Sequence, residues 1–173
     1  MPKIIVISGP CGCGKTTFSR ACAERLANAD NRPIYVIHGD DFHRGFVGNC
    51  TPWEEILRFN WDCMMATAER ALKMGQDVWI DYVLEDELPR VRRLADAYHA
   101  ELYYLVLTAE AATLEARLRE RGSAELISRS LFLKEKLESM AENQGHLYDN
   151  THKSVEEMLD TIDLRAYRVK QYP

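Results

Sequence analysis

The sequence predicts an α/β protein in three layers, a parallel sheet between two layers of helices, and three observations predict it. Short apolar runs alternate with segments of helical periodicity along the chain, a pattern that yields parallel strands joined by crossover helices. Several runs are continuously apolar, as strands covered on both faces require. The first run, Lys3-Ile4-Ile5-Val6-Ile7-Ser8, leads straight into Gly9-Pro10-Cys11-Gly12-Cys13-Gly14-Lys15-Thr16-Thr17. That stretch is G-x-x-x-x-G-K-[ST] between a strand and a helix, the context this motif needs.

Glycines let such a loop curl so that successive N–H groups point into one concavity at a helix N-terminus, where a polyphosphate can sit. Residues Gly9 to Thr17 are therefore the candidate ATP-binding loop, with Lys15 reaching the outer phosphates and the Thr16 hydroxyl on Mg²⁺. A helix from about Lys15 to Asn28 follows, its face marked by Phe18, Cys22 and Leu26, and Asn28, Asp30, Asn31 and Pro33 break it. Ile34 to His38 is a second continuous apolar run, predicted to be covered on both faces. It ends in Gly39-Asp40-Asp41-Phe42-His43. Ligands of open α/β sheets bind outside the carboxyl ends of the strands, so this acidic pair is expected on the same rim as the loop.

Thr51-Pro52-Trp53-Glu54 has the form of a capping box and opens a long helix with Leu57, Trp61, Met64, Met65, Ala68 and Leu72 on one side. Trp53, Phe59, Phe42 and Phe46 are candidates to wall an acceptor pocket. Gln76 to Asp81 is a third strand, again ending in a carboxylate, and Asp81 is a candidate acceptor contact. Glu85, Asp86 and Glu87 are explained by the dipole of the next helix. Leu102 to Leu107 is the fourth strand, with Thr108 able to cap the helix that carries Arg117 and Arg121, and Gly122-Ser123 is a stop. These two arginines are four apart and so stack on one side. A helix from Leu131 to Met140, a short fifth strand within 146–150, and a capping box at Ser154 to Glu157 follow. Leu164 to Pro173 is a tail or an added edge strand.

At 173 residues the chain is expected to be one domain, 1–173, with 46% apolar residues, ordinary for a globular protein. A net charge of −5 gives no footprint for duplex nucleic acid. Without a signal-peptide pattern or a membrane-spanning stretch, the expected location is cytoplasmic. The five cysteines, Cys11, Cys13, Cys22, Cys50 and Cys63, are odd in number and form no C-x-x-C pair, so neither disulfides nor a zinc site are expected. Cys11 and Cys13 lie beside Lys15 and backbone donors, a setting that favours thiolate and allows a redox role.

The rim thus collects a phosphate cradle, a pair of aspartates, a third aspartate and a set of arginines, the inventory that phosphoryl transfer asks for. Asp40 is the first choice as general base and Asp41 the alternative, the other helping to hold Mg²⁺ or the acceptor. Thr16 with Asp40 is the candidate metal set.

The loop at Gly9 to Thr16, the Gly-Asp-Asp-Phe at 39–42 and Arg117-x-x-x-Arg121 together resemble the P-loop kinase superfamily of nucleotide and small-metabolite kinases. Gly-Asp-Asp-Phe-His is similar to the turn of gluconate kinases, and Asp-Asp-Phe to that of nicotinamide riboside and uridine kinases. The resemblance implies a five-stranded parallel sheet in the order 2-3-1-4-5, a small lid at about 121–130, ATP and Mg²⁺ as cofactors, and Asp40 as base. It further implies Arg117 stacked on adenine, Arg121 clamping phosphate as a catalytic residue beside Lys15 and Asp40, and Asn150 and Thr151 lining the adenine site. Arg129 is a candidate for the same clamp from the far side of the lid and is grouped with Asp41, Phe42 and Asp81 as substrate-binding. The rest of the gluconate-kinase signature and the paired arginines of nucleoside monophosphate kinases are absent, so the acceptor stays open between a metabolite, a nucleoside and an antibiotic.

Two other classes compete. A nucleotide switch or ATPase would show Asn-Lys-x-Asp, Asp-x-x-Gly or a strand ending in Asp-Glu, and Val78 to Tyr82 supplies only the Asp. A polynucleotide 5′-hydroxyl kinase would need a basic strip for a single strand. Either a monomer or a homodimer is compatible with the sequence.

Overall fold

The computed structural model describes residues 1–48 and 50–170; Asn49 and the end of the predicted tail, 171–173, lie outside them. Five parallel strands, β1 (Lys3–Ser8), β2 (Ile34–His38), β3 (Asp77–Asp81), β4 (Glu101–Thr108) and β5 (Leu147–Asp149), form one sheet in the order β2-β3-β1-β4-β5. Seven α-helices join and cover them: α1 (Lys15–Asp30), α2 (Asp40–His43), α3 (Trp53–Lys73), α4 (Leu88–Ala97), α5 (Ala111–Glu120), α6 (Ile127–Ser139) and α7 (Val155–Thr161).

The period-two geometry of a strand divides β1 between two cores. Ile4 and Val6 face α3, α4 and α6, packing with Trp61, Met64, Leu88, Val91 and Leu137. Ile5 and Ile7 face α1 and α7, packing with Phe18, Cys22, Trp79 and Met158. Each fully buried aliphatic side chain of this kind stabilises the fold by about 1.5–3 kcal/mol, which is why so short a strand can anchor the molecule.

Three local expectations are corrected. β2 is apolar throughout but is an edge strand, with Tyr35 46% exposed and only Ile37 buried; a continuous run does not distinguish a central strand from an edge. The capping box at Thr51 does not form, since α3 starts at Trp53 with Pro52 as N-cap and no side-chain bond. Thr108 remains the last residue of β4, its Oγ1 donating to Glu138 at 2.5 Å, and Glu110 precedes α5 instead.

The capping box at α7 does form, Glu157 N–H donating to Ser154 Oγ (3.2 Å) and Ser154 N–H to Glu157 Oε2 (2.7 Å). α1 runs past Asn28 to end at Asn31, whose φ of 48° is the left-handed C-cap conformation. The tail makes a 3₁₀ turn over Leu164–Tyr167 and one antiparallel bridge, Arg168 to Tyr103, along the part of β4 that β5 leaves uncovered.

Candidate active site

All five strands point their carboxyl ends to one rim, and the loop after β1 occupies its centre. Gly9, Gly12 and Gly14 have φ of 142°, 81° and 92°, a region that side chains strain to enter. A Cβ on Gly9 would also lie 2.2 Å from the Leu107 carbonyl oxygen and 2.7 Å from Cys13 Sγ.

The N-terminus of α1 has no side-chain cap and no acidic residue in its first turn, in contrast to α7. Thr16 and Thr17 are exposed there. An uncapped N-terminus on a sixteen-residue helix presents free N–H groups and the positive end of the dipole to an anion. Lys15 Nζ donates to the carbonyl oxygens of Gly9 (2.9 Å) and Pro10 (3.0 Å). Burial works against its ammonium, but Cys13, Cys11, Asp81 and Asp40 together outweigh it and hold the pKa above the ordinary lysine value.

The loop is fastened from two directions. Asn150, 2% exposed, donates Nδ2–H to the Cys13 carbonyl (2.6 Å). Arg117 donates to Asn150 Oδ1 and to its carbonyl, each at 3.1 Å. From the other side Ser130, fully buried, donates to the Cys11 carbonyl at 2.6 Å. Thr151 accepts from Glu110 N–H (2.9 Å) and donates to Asp149 (2.5 Å). Asn150 and Thr151 therefore sit beside the loop, with the Asn150 side chain engaged by the backbone rather than open to a base. Arg117 faces Asn150, while Arg121 is exposed at the C-cap of α5.

Asp40 and Asp41 form the exposed first turn of α2, at the end of β2. Asp41 pairs with Arg44 at 2.8 Å. Gly39 N–H donates to the Asp81 carbonyl (3.1 Å), which ties this turn to β3. Asp81 is buried, and its Oδ2 meets His38 Nδ1 at 2.9 Å, so it is held by a neighbour rather than presented to solvent. Phe42 is half-buried against the core. Phe46 meets Phe59 edge-on at 5.1 Å between ring centres, and His43 meets Trp53 at 6.0 Å. These aromatics and α2 rise above Tyr82, whose hydroxyl accepts from Asn60 Nδ2 at 3.3 Å.

Between α5 and α6 the chain makes a turn at Gly122-Ser123, with φ 74° at Gly122, and a 3₁₀ turn over Ala124–Leu126. Arg129 lies in the first turn of α6, its guanidinium over the Phe132 ring and paired with Glu85. Glu85, Asp86 and Glu87 precede α4 instead of forming its first turn. Glu87 accepts the N–H groups of Glu85 and Asp86, each at 3.0 Å.

The thiol expectation is corrected in part: burial pushes Cys13 above the ordinary value despite Lys15. His38 and Ser130 are components that the sequence did not single out, and Glu85, explained there by a helix dipole, instead pairs with cations of α6. Their partners are 43, 119 and 44 residues away, and no local spacing marks them.

Among the described residues no three metal-ligating side chains cluster. A hydroxyl on the first turn of α1 with one or two carboxylates across the rim suits Mg²⁺, which is usually held by few protein oxygens together with phosphates and water. The open α1 terminus fits the phosphates of ATP on the same grounds.

A parallel sheet in this order, with its glycine loop after β1 and its aspartates after β2, is the fold of P-loop kinases. A family profile described as AAA domain matches residues 4–147. The chain belongs to that family. A curated guanylate kinase of Thermosynechococcus vestitus is 28% identical over 148 residues, 75% of each chain. Among solved structures, the Mycobacterium tuberculosis APS kinase CysC in complex with AMPPNP and APS has a TM-score of 0.67 at 14% identity, covering 92% of this chain and 94% of its own. A gluconokinase from Sinorhizobium meliloti has a TM-score of 0.55 at 19% identity, covering 96% and 90%. No helix among the described residues is long and apolar enough to cross a membrane.

Proposed function

We propose that this chain is an ATP-dependent phosphotransferase that moves the γ-phosphate of ATP to a hydroxyl of a small molecule. One observation carries the reading: the uncapped N-terminus of α1, which begins at Lys15, shares a rim with Asp40 after β2 and Asp81 at the end of β3, and the Gly39 N–H bond to the Asp81 carbonyl ties those two ends together. The loop N–H groups of residues 9–17 hold the phosphates. Lys15 leaves the Gly9 and Pro10 carbonyls for the outer phosphates, and Thr16 with a rim carboxylate holds Mg²⁺. Mg²⁺ supplies charge neutralisation on the phosphates, where the transition state spreads negative charge. Asp40, exposed beside the acceptor side, takes the proton of the attacking hydroxyl. Arg121 and Arg129 are the phosphate clamps and 121–130 the lid; Arg117, Asn150 and Thr151 border the base.

The similar proteins are named guanylate kinase, APS kinase and gluconokinase. Their names agree on phosphoryl transfer and differ on the acceptor. The carboxylates Asp40, Asp41, Asp81, Glu85, Asp86 and Glu87 outnumber Arg44, Arg129 and Lys136, the cations paired among them, and so favour a neutral or cationic hydroxyl compound over an anion. The test is ATP consumption with a panel of GMP, gluconate, nucleosides, aminated sugars, antibiotics and a 5′-hydroxyl oligonucleotide, with product detected by mass. A second reading, an ATPase without acceptor, is favoured by the family's description. ATP consumed at one rate whatever is added, with no phosphorylated product, would establish that reading and remove ours.

A further inference from the structure

We propose that Glu85 competes with nucleotide phosphate for Arg129 and Lys136. The inference rests on the kinase reading above and extends it to a residue between the two substrates. Glu85 lies in the segment joining β3 to α4, and its side chain is 16% exposed. Its two oxygens hold two cations of α6: Oε1 pairs with Arg129, and Oε2 with Lys136 at 3.1 Å. Lys136 also holds Asp86 at 2.9 Å. Glu85 and Asp86 thus balance Arg129 and Lys136, two charges against two, in a group of which Glu85 is the most buried member and Asp86 is open to solvent.

The next residue, Ser130, places this group beside the phosphate loop, because its hydroxyl is bonded to the Cys11 carbonyl at 2.6 Å. Arg129 is therefore rooted in the first turn of α6, one residue from a contact with the loop. Guanidinium binds carboxylate and phosphate through the same planar pair of donors, so the two anions exclude one another at Arg129. On its other side Glu85 belongs with Asp40 and Glu87, whose charges all bear on the Tyr82 hydroxyl. Removing the Glu85 charge leaves two cations facing one carboxylate, and a polyphosphate gains the unmatched charge.

A brace without this competition makes a different prediction: Glu85→Gln keeps a hydrogen-bonding side chain and would leave nucleotide affinity unchanged or lower it. Calorimetric titration with AMPPNP, ADP and AMP, the first two with Mg²⁺, separates the cases. The expected result is that Glu85→Gln binds AMPPNP and ADP about fivefold or more tightly, the lower end of ordinary coupling between sites. AMP, which lacks the outer phosphates, is expected to be unaffected. In Glu85→Gln/Arg129→Gln the gain should vanish. Unchanged or weaker AMPPNP binding by folded Glu85→Gln overturns the inference while leaving the kinase reading in place. If Glu85→Gln does not fold, Glu85→Asp, one methylene short of Arg129, should tighten AMPPNP in the same direction, and no change there overturns the inference equally. A wild-type chain that binds neither AMPPNP nor ADP overturns the kinase reading itself.

Discussion

On the phosphate-loop side of the rim, buried donors from Asn150 and Ser130 hold the carbonyls of Cys13 and Cys11, and three glycines with positive φ shape the turn. On the Asp40 side, α2 is a single turn of four residues, Trp53 and Phe59 are 49% and 47% exposed, and the buried Oδ1 of Asn60 and Nδ1 of His43 have no hydrogen-bond partner among the described residues. Each unmade bond of that kind costs about 1–3 kcal/mol. The first half is fixed by the fold before any ligand arrives, whereas the second keeps polar and aromatic groups in reserve. The contrast explains how chains of one architecture can share a nucleotide site and differ in acceptor.

Substitutions in each half should separate these properties. Lys15→Ala is expected to have the largest effect, a loss of turnover of about 10³-fold, the magnitude of removing a preorganised transition-state charge, with circular dichroism and melting unchanged. Asp40→Asn should lower turnover about 10²-fold, the lower end for a general base, with ATP affinity within about twofold by calorimetry; wild-type turnover would reassign the base to Asp41. Asn150→Ala removes the donor to the Cys13 carbonyl and one acceptor of the Arg117 guanidinium, and should destabilise the chain by about 1–3 kcal/mol in urea, weakening ATP as well. Phe59→Ala should shift stability by no more than about 0.5 kcal/mol, as surface changes do, yet raise the acceptor KM severalfold. If it proved as destabilising as Asn150→Ala, the distinction between the halves would collapse.

The smallest effect concerns pH. Burial lowers the His146 pKa below its ordinary 6.5, its Nδ1 lying 2.9 Å from the Tyr104 carbonyl. Below pH 6.5 the unfolded chain therefore binds this proton more readily than the folded one, and stability falls as pH drops toward the folded value. The decline should flatten in His146→Gln, measured by melting between pH 7 and 5.

The same contrast governs what the sequence alone revealed. The loop, the strands and the rim position of the aspartates were legible because each follows from contiguous residues, the glycine spacing at 9–14, the apolar runs and the Asp-Asp at a strand end, whereas the strand order came from the resemblance to P-loop kinases. The fastenings were not, since Asn150 meets Cys13 across 137 residues and Ser130 meets Cys11 across 119. Arg117 and Arg121 show the limit of helical spacing, which sets a shared face but not a shared partner. β2 shows the limit of composition, because apolar residues suit an edge strand as well as a central one when both faces still pack in part on helices, Ile37 toward α3 and Ile34 and Val36 toward α1.

Gly39 carries a consequence for how such chains diverge. A methyl group there would stand 2.2 Å from the Tyr82 ring, so the aromatic residue after β3 occupies the volume that any side chain before Asp40 would need. A side chain at 39 obliges a smaller residue at 82, and that paired exchange would move the floor beneath Asp40. Drift at this pair is a route by which one ancestor could give rise to enzymes serving different alcohols.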